Sequence, residues 1–514
     1  MKNLSLFVKL LLPALFVLSF NNSCTNLDEK LYDVLTEETF LKTEEEFIAA
    51  LGAAYTSLYG IGNHGGYHSV QEVSSDEVMI PQRGGDWGDG GQWLNAHRHE
   101  YKPNDPNINN SWGFLFAGVN TCNRLIFQFE TLKDSGKADP LLADKFIAEL
   151  RTLRALYYYW LLDTFGNVPI VDEFNVPADF LPATRSRADV YAFVEKELNE
   201  AVPKLDTKVD GTTYGRMSYY VGKAIQAKLY LNAQVYTGTA QWDKCIAACD
   251  EIIGSGKYQI EATYRSNFVT ENQSSKEIIL AVPYDQVFAR GFNLAQMTLH
   301  YGSQATFDLR DQPWNGYCSL QEFYEKHDAS DSRIINFVKG PQFASDGITP
   351  IIDASAEAND PDGPQLNFTP AINEHFPNAL RQAGVRIGKY EFKKGATPDL
   401  SNDFVIFRFA DIMLTKAEAH WRKDPNDQGA LGLVNQIRRR ASQDNFSTLT
   451  AQNLLDELGR EKFYEGQRRQ DLIRFGVFGQ PTRWMPGSDA NKNLLPIPTA
   501  QININPNLQQ NPGY

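Results

Sequence analysis

Hydrophobic residues recur every three or four positions along several stretches of the chain, which is the spacing of one face of an α-helix. Each of these faces predicts a helix that buries one side against a core and leaves the other side polar. Three of them lie in the first third of the chain: Phe47, Leu51, Tyr55 and Leu58; Trp112, Phe116, Val119, Asn123 and Ile126; and Phe146, Leu150, Leu153 and Tyr157.

Two pairs of neighbouring helices follow the same pattern. Residues 218–236 predict one helix, the segment TGTAQ breaks it, and a second helix runs from Trp242 to Ile253. A comparable pair returns at FRFADIMLTKAEAHWR and NDQGALGLVNQIRRRA, with Pro425 in the connection. Helical hairpins of this size are typical of tetratricopeptide-like repeats, which stack on one another. Small residues let the paired helices approach closely, namely Ala224, Ala227, Ala233, Ala247, Ala248, Ala417, Ala419 and Ala430.

The predicted fold is therefore mainly α, with tetratricopeptide-like helix pairs forming a scaffold, long loops and minor β elements. The long loops are residues 61–111 and 259–405, which lack helical periodicity and are rich in Gly, Pro, Asn and Asp. Loops of this size on a rigid scaffold more often carry function than not.

Aromatic residues stand among glycines in both loops, Trp87 and Trp93 in the first and Trp314 and Tyr317 in the second. Neighbouring glycines offer no side chain to pack against, so this pattern favours a flat, exposed platform. A pyranose ring lays its apolar CH face on such a platform, and its hydroxyl groups need planar polar partners at the edge. Candidate edge residues are Asp76, Arg83, Asp86, Asp89, Asn95, Asp308, Arg310 and Asn315.

The alternative is that these tryptophans cap the scaffold and do not contact a ligand. This alternative applies to Trp93 in particular. Three other tryptophans lie on predicted helix faces and are assigned to the core: Trp112, Trp160 and Trp242.

The N-terminus indicates export. Lys2 and Lys9 flank and interrupt an apolar stretch that is too short for a stable membrane anchor, and Ser23 precedes Cys24. Cleavage before Cys24 would free a thiol that accepts a diacylglycerol anchor, whose acyl chains contribute about 0.8 kcal/mol per buried methylene. The alternative is an ordinary cleaved signal followed by an incidental cysteine.

The length and net charge of the chain limit its possible domain organisation and partners. A chain of 514 residues predicts two closely packed domains or one large composite. Removal of residues 1–23 takes away two lysines and no acids, so the net charge goes from −14 to −16. A strongly acidic protein is a poor partner for nucleic acid and for anionic membranes.

No metal site or cofactor is predicted. Cys245 and Cys249 lie four apart on a predicted helix without a nearby histidine, so we interpret them as small core residues rather than a metal or redox pair. The His97/His99 pair and the DPDG segment at Asp360–Gly363 lack the further ligands that zinc or calcium requires. A glycoside hydrolase needs two carboxylates about 5–10 Å apart, and no motif in the sequence indicates such a pair.

Several blocks of the chain form an ordered set. They are LDEKLYDVLTEETFLKTEEEFIAALGAAYTSLY, SWGFLFAGVNTCNRLI, RTLRALYYYWLLDTFGNVPIV, FRFADIMLTKAEAHWR, LVNQIRRRA, REKFYEGQRRQDLIRFG and LLPIPTAQININPNLQQNPGY. In this order and spacing they resemble the SusD/RagB family of Bacteroidetes outer-membrane lipoproteins, over essentially the whole chain from Cys24 onward.

The resemblance implies a division into a signal peptide at 1–23, an N-terminal helical region at 24–258 and a C-terminal region at 259–514. It implies a lipid-anchored protein of the cell outer membrane, exposed at the surface. It also implies a partner, a SusC-like TonB-dependent transporter on which the lipoprotein sits as a lid. Members of the family capture nutrients and are not enzymes.

The resemblance places ligand contacts in the Trp87–Trp93 and Trp314–Tyr317 segments. From residues and resemblance together, the predicted ligand-binding set is Trp87, Trp93, Trp314, Tyr317, Asn315, Asp76 and Arg83, with Cys24 as the lipidation site. The charges of the REKFYEGQRRQDLIRFG block are expected to pair within the fold and not to catalyse a reaction. They are Arg460, Glu461, Glu465, Arg468, Arg469 and Asp471.

The predicted function is capture of an oligo- or polysaccharide, neutral or weakly charged, and its delivery to the transporter. The alternative is peptide capture, as in RagB-like members, which would favour a broad polar cleft with backbone hydrogen bonds.

Overall fold

The computed structural model describes residues 43–353 and 364–514. Cys24 with its flanking segment, and Asp360–Gly363, lie outside these residues. Thr43–Tyr514 forms one compact unit, and the division at residue 258 stays a prediction. No helix in the described part of the chain has the length and apolar character needed to cross a membrane.

Helices dominate the first half of the described chain. They are α1 (Glu44–Thr56), α2 (Tyr67–Val73), α3 (Gln92–His97), α4 (Pro106–Asp134), α5 (Pro140–Thr164), α6 (Arg187–Ala201), α7 (Tyr219–Leu231), α8 (Ala233–Thr237) and α9 (Trp242–Gly254).

The second half alternates loops, short strands and helices. Its helices are α10 (Leu294–Thr298), α11 (Ser303–Phe307), α12 (Gln321–Tyr324), α13 (Phe409–Lys423), α14 (Gln428–Arg440), α15 (Ala451–Lys462), α16 (Arg468–Arg474) and α17 (Thr499–Ile504). Single turns of 3₁₀ helix link several of these elements.

The two longest helices, α4 and α5, pack against each other along their predicted apolar faces. The approach is close at Gly118, where an added Cβ would overlap the ring of Tyr157. Helix α5 begins at an Asp-Pro pair: the Asp139 side chain accepts hydrogen bonds from Leu141 N and Leu142 N, and Pro140 takes the first helical position. Both features are favoured at a helix start because the first amide groups have no partner within the helix.

The two predicted helix pairs are confirmed, except that residues 218–236 form two helices, α7 and α8, and not the single helix expected. Helices α7 and α9 form the first pair, α13 and α14 form the second, and α9 packs against α13, so the pairs stack. Cys245 and Cys249 of α9 are fully buried, as expected of small core residues. The mainly α fold with minor β elements is therefore correct.

The strands are short and occur in two-stranded antiparallel ladders. The longest ladder pairs β4 (Ile278–Val282) with β10 (Phe404–Arg408). The ladder between β1 (Val78–Met79) and β5 (Cys318–Ser319) joins the two glycine-rich loops. The others are β2 (Val168–Pro169) with β3 (Thr184–Arg185), β6 (Phe337–Val338) with β9 (Arg386–Ile387), and β7 (Gly340–Pro341) with β8 (Asn367–Phe368).

The first predicted loop is more helical than the sequence suggested. Residues 61–111 contain α2, α3 and the start of α4. Every residue of α2 is buried, so no side of this helix faces solvent. Its sequence therefore lacks the alternation of apolar and polar faces that marks a surface helix. Of the tryptophans assigned to the core, Trp112 and Trp160 are buried and Trp242 is only partly buried.

The expected pairing of the REKFYEGQRRQDLIRFG charges is confirmed. The fully buried guanidinium of Arg408 contacts carboxylates of Glu277, Glu461 and Glu465 at 2.5–2.8 Å. This arrangement satisfies charges that would each cost several kcal/mol if buried alone. The other members pair as Arg460 with Glu457, Arg468 with Asp76, Asp471 with Lys462 and Arg474, and Arg469 with Asp163 at 3.9 Å.

Two buried carboxyl groups hold the segment between α15 and α16. Glu72 Oε1 accepts a hydrogen bond from Gly466 N at 2.6 Å, and Glu77 Oε2 accepts one from Tyr464 N at 3.1 Å. Burial raises the pKa of Glu72 to about 7, and burial together with the Glu72 charge raises the pKa of Glu77. Their second oxygens, Glu72 Oε2 and Glu77 Oε1, accept no hydrogen bond from a donor group. A proton on one of the two carboxyl groups therefore removes the cost of burying an unpaired negative charge.

The pair predicts a pH effect on stability. A carboxyl group whose pKa rises from 4.5 to about 7 on folding favours the folded state when protonated, so its contribution is lost as the pH rises through this window. We expect the wild-type free energy of unfolding to fall by roughly 3 kcal/mol between about pH 4.5 and pH 7 because of this group. The Glu72→Gln variant should lack this fall. Thermal unfolding across that range measures it. Exposed Glu130→Gln is the control, and equal pH profiles for wild type and Glu72→Gln would contradict the interpretation.

Candidate functional site

An open cleft of about 480 Å³ lies where the two glycine-rich loops meet. Its lining combines aromatic rings with acidic and amide side chains. The lining residues are His64, Gly85, Asp86, Trp87, Asp89, Tyr301, Gln312, Pro313 and Trp314.

Three rings form one curved wall of the cleft. The Trp87 and Trp314 ring centroids lie 6.4 Å apart, with their planes inclined by 50°. His64 stands edge-on to both, 4.8 Å from Trp314 and 6.3 Å from Trp87. Trp87 and Trp314 are partly exposed and His64 is exposed, so the wall offers apolar faces to a ligand.

The Trp87 side chain is fixed in an unusual backbone conformation. Its φ of 59° lies in the left-handed region, which costs a residue with a side chain about 1–2 kcal/mol. Trp87 Nε1 donates a hydrogen bond to the Trp314 carbonyl at 2.7 Å. The indole packs directly on Gly316, where an added Cβ would overlap it. Strain held by such contacts is typical of functional sites.

Arg83 and Asn315, two predicted ligand contacts, lie beneath the cleft and are buried. Arg83 Nη1 donates to the carbonyls of Asn315 and Gly316 at 2.7 and 2.8 Å, and its Nη2 donates to Ala383 O at 2.9 Å. Asn315 Oδ1 accepts from Arg386 Nη2 at 2.7 Å. Burial without a carboxylate partner lowers the pKa of both arginines. These side chains join the loops and offer no surface to a ligand.

Trp93 and Tyr317 were also expected in the exposed platform, and that expectation is wrong. Trp93 is 2% exposed and donates from Nε1 to Asp89 Oδ2 at 2.8 Å. Tyr317 is 0% exposed, donates to Ser69 Oγ at 2.8 Å, and meets Trp87 edge-to-face at 5.6 Å. Both rings form the layer that supports Trp87. The capping alternative weighed for Trp93 is the one that the structure favours.

Asp76 does not line the cleft. Its carboxylate binds Arg468 at 2.6 Å and Lys326 at 3.4 Å. These two cations hold the pKa of Asp76 well below its usual range despite burial. Asp76 therefore joins a loop to helix α16 and serves the fold.

Of the remaining candidate edge residues, two line the cleft and three do not. Asp86 and Asp89 line the cleft. Asn95 is buried against Asp105, while Asp308 and Arg310 are exposed outside the lining.

Tyr301 and His64 line the cleft but were not singled out from the sequence. The Tyr301 hydroxyl donates to an Asp86 carboxylate oxygen across the cleft, and Arg381 lies over its ring at 5.8 Å. Asn293 Nδ2 donates to His64 Nδ1 at 3.1 Å. Both residues stand next to glycines within the glycine-rich loops, in HYGS and GNHGG, which was the available signal.

The cleft carries negative charge. Asp86 and Asp89 belong to its lining, and no Lys or Arg does. Partial desolvation of the His64 ring by its neighbours lowers its pKa, against the opposing effect of Asp89. Such a surface disfavours polyanions and suits uncharged ligands.

No group of three or more His, Cys, Asp and Glu residues in the described ranges is arranged to hold a metal ion. His97 and His99 are buried, and their ring nitrogens bond to Val73 O and to Ser74 O and Ser488 Oγ. They therefore serve the packing of α3 and of the residues that follow it.

Sequence comparisons show which proteins the chain resembles. Residues 382–514 match the profile described as the SusD family, and residues 92–226 match the one described as "Starch-binding associating with outer membrane". The chain is 28% identical to the starch-binding protein SusD of Bacteroides thetaiotaomicron, over 71% of this chain and 72% of that protein. It is 23% identical to the SusD-like protein P38 of Formosa agariphila, over 100% of this chain and 99% of that one.

Solved structures agree in fold. A laminarin-binding SusD-like protein superimposes with a TM-score of 0.74 at 22% identity, covering 92% of this chain and 100% of that one. Surface glycan-binding protein A from Bacteroides thetaiotaomicron, in complex with laminarihexaose, gives 0.72 at 22% identity, covering 91% and 99%. The chain therefore resembles SusD-like proteins in sequence and shares their fold.

The packing of Trp87 on Gly316 predicts the effect of one added methyl group. Gly316→Ala should displace the indole, shift its fluorescence emission to longer wavelength and lower stability by about 1–3 kcal/mol. Gly85→Ala is the matched control, because an added Cβ there has no atom within 4 Å. Unchanged emission and thermal midpoint in Gly316→Ala would show that the indole does not depend on this contact.

Proposed function

We propose that the protein captures a glycan in the cleft formed by Trp87, Trp314, Tyr301 and His64. The observation that carries this proposal is the pair of partly exposed indoles 6.4 Å apart, fixed by contacts from both loops. Apolar ring faces bordered by carboxylate and amide groups meet the needs of a sugar, which has an apolar face and a rim of hydroxyls. The names of the relatives, starch-binding and laminarin-binding, agree with this chemistry.

The angle between the indoles favours a curved glycan. Two planes inclined by 50° cannot both stack on successive sugars of a flat ribbon, whereas a chain that turns from one sugar to the next presents inclined faces. Starch and laminarin are such chains and cellulose is not. The negative lining further favours a neutral glycan over a sulfated or uronic one.

Binding without cleavage is part of the proposal. The cleft carboxylates are both engaged, Asp86 by the Tyr301 hydroxyl and Asp89 by the Trp93 indole. A hydrolase needs one carboxyl group held to protonate the leaving oxygen and a second that is available to a water or to the sugar. Relatives named as binding proteins support the same interpretation.

The location and the partner are proposed from the family. Cys24 would carry the lipid, anchor the protein at the outer-membrane surface and leave it beside a SusC-like TonB-dependent transporter, to which it passes the glycan. The profile description "associating with outer membrane" supports this placement. Peptide capture is less well supported, because the cleft presents rings and carboxylates and the named ligands of relatives are glycans.

Removal of either exposed indole should weaken glycan binding. Trp87→Ala and Trp314→Ala are each expected to cost about 1–3 kcal/mol of binding free energy, measured by calorimetry with laminarihexaose and with maltohexaose. Trp242→Ala, at a partly buried position on α9, is the control. A folded Trp87→Ala or Trp314→Ala protein with wild-type affinity would exclude that residue from the site.

A screen of polysaccharides tests the predicted shape and charge of the ligand. In native affinity gels, the chain from residue 25 onward should be retarded by laminarin or starch, and not by soluble cellulose derivatives or alginate. The recovered glycan should be uncut. Shortened products would overturn the non-enzymatic proposal, and retardation by none of these glycans would overturn glycan capture.

A further inference from the structure

Five large apolar side chains are exposed where helix α4, the segment 171–182 and helix α17 meet. They are Phe127 on α4, Phe174, Phe180 and Leu181 on the segment, and Ile504 on α17, and each is between 40% and 71% exposed. The rings of Phe127 and Phe174 contact each other, with centroids 6.0 Å apart, and both still face solvent. We call these five residues the apolar surface.

Side-chain amides join the three elements. Asn123 of α4 donates from Nδ2 to Val171 O at 2.8 Å, at the start of the segment. Asn505, which directly follows Ile504, donates from Nδ2 to Pro182 O at 2.8 Å, at the end of the segment. The apolar surface therefore lies on elements that are fixed to one another.

The segment 171–182 forms no helix or strand, yet it exposes large apolar side chains. Every residue from 172 to 181 except Val176 is exposed, including Phe174, Phe180 and Leu181. A lone exposed apolar side chain is normal on a protein surface and calls for no partner. Five on adjoining elements form a patch of the kind that marks an interaction site.

One end of the apolar surface reaches the wall of the cleft. Asn110 of α4 donates from Nδ2 to the carbonyl oxygen of the residue after His64, at 3.1 Å. The neighbouring Asn109 accepts from Gln501 Nε2 of α17 at 2.9 Å. Phe127 lies five helical turns after Asn109 on the same face of α4, a distance of about 27 Å. A partner seated along this face therefore also borders the cleft.

The apolar surface is interspersed with negative charge. Asp172, Glu173 and Asp179 are exposed on the segment, and Arg124, one turn before Phe127, offsets only one of these charges. A complementary partner therefore has an apolar contact area with basic side chains around it.

The same charges disfavour two other occupants. In a symmetric dimer a patch faces its own copy, so the three acids would meet three acids. Insertion into a membrane would place carboxylates in or near hydrocarbon, which is costly, and anionic headgroups would repel them.

We propose that the apolar surface is the face by which the protein docks on the transporter that receives the glycan. The facing area of the transporter is then apolar with a basic rim. Contact next to the cleft suits transfer, because the glycan leaves the cleft beside the bound partner. This inference rests on the proposed function and adds the contact face to it.

The test measures capture of the full, lipid-anchored protein by a tagged SusC-like transporter, purified from detergent-solubilised outer membranes that contain both. Phe127→Ser combined with Phe174→Ser should lower the amount recovered about tenfold, because both contacting rings are lost. Asp172→Lys combined with Asp179→Lys should also lower it, and added salt should weaken capture of the wild type.

Ile348→Ser is the matched control, since Ile348 is exposed on a different segment and its replacement should leave recovery unchanged. Both double variants should keep the thermal midpoint and the glycan affinity of the wild type, because the altered side chains are exposed and lie outside the cleft lining.

Wild-type recovery of both double variants would overturn the docking face, and so would an equal loss for Ile348→Ser. Two further measurements identify a different occupant and would equally overturn it. One is a wild-type dimer in sedimentation that Phe127→Ser with Phe174→Ser converts to a monomer. The other is flotation of the unlipidated wild type, but not of that variant, with vesicles of phosphatidylethanolamine and phosphatidylglycerol.

Failure of the docking face is distinct from failure of the proposed function. If the transporter recovers no wild-type protein, the proposed partner fails and the docking face fails with it. Glycan capture is then still decided by the affinities of Trp87→Ala and Trp314→Ala, which require no transporter.

Discussion

The Arg83 guanidinium makes the contacts on which the shape of the cleft depends. It is buried and donates hydrogen bonds to the carbonyls of Asn315, Gly316, Leu380 and Ala383, which belong to two segments distant in sequence from its own. A guanidinium has five N–H donors in a rigid plane, so one side chain fixes several loops at once. Residues 83–89 and 314–317, which carry the two exposed indoles, are held together in this way.

Buried arginines have different partners in the scaffold and beneath the cleft. Around Arg408, buried cations meet carboxylates of the β4–β10 and α15 region, so the charges neutralise one another. Beneath the cleft, Arg83 and Arg386 bind carbonyl and amide oxygens instead. The partners beneath the cleft are mostly carbonyl groups of the loop backbone, so these arginines join loop segments to one another. The ion pairs around Arg408 instead join side chains that are all charged.

A layer of buried side chains supports the exposed rings of the cleft. Tyr317 and Trp93 lie below Trp87, and Gly316 leaves room for the indole to lie flat against the backbone. Both of these buried rings have a polar partner, Ser69 for Tyr317 and Asp89 for Trp93. A ligand therefore meets rings whose positions are set before binding, which lowers the entropy lost on association.

The sequence by itself determined the helical scaffold and indicated which loops carry the candidate site. Helices α4, α5, α7, α9, α13 and α14 follow from apolar spacing, because burial of one helix face dictates that spacing. Glycines around tryptophans pointed to the two loops that border the candidate cleft. Only the tertiary structure decided that Trp87 faces the cleft while Trp93 faces the core, and that His64 and Tyr301 join them. The positions of Trp87, Tyr301 and His64 depend on hydrogen bonds between residues more than 200 positions apart, such as Trp87 to Trp314, and no local pattern records such contacts.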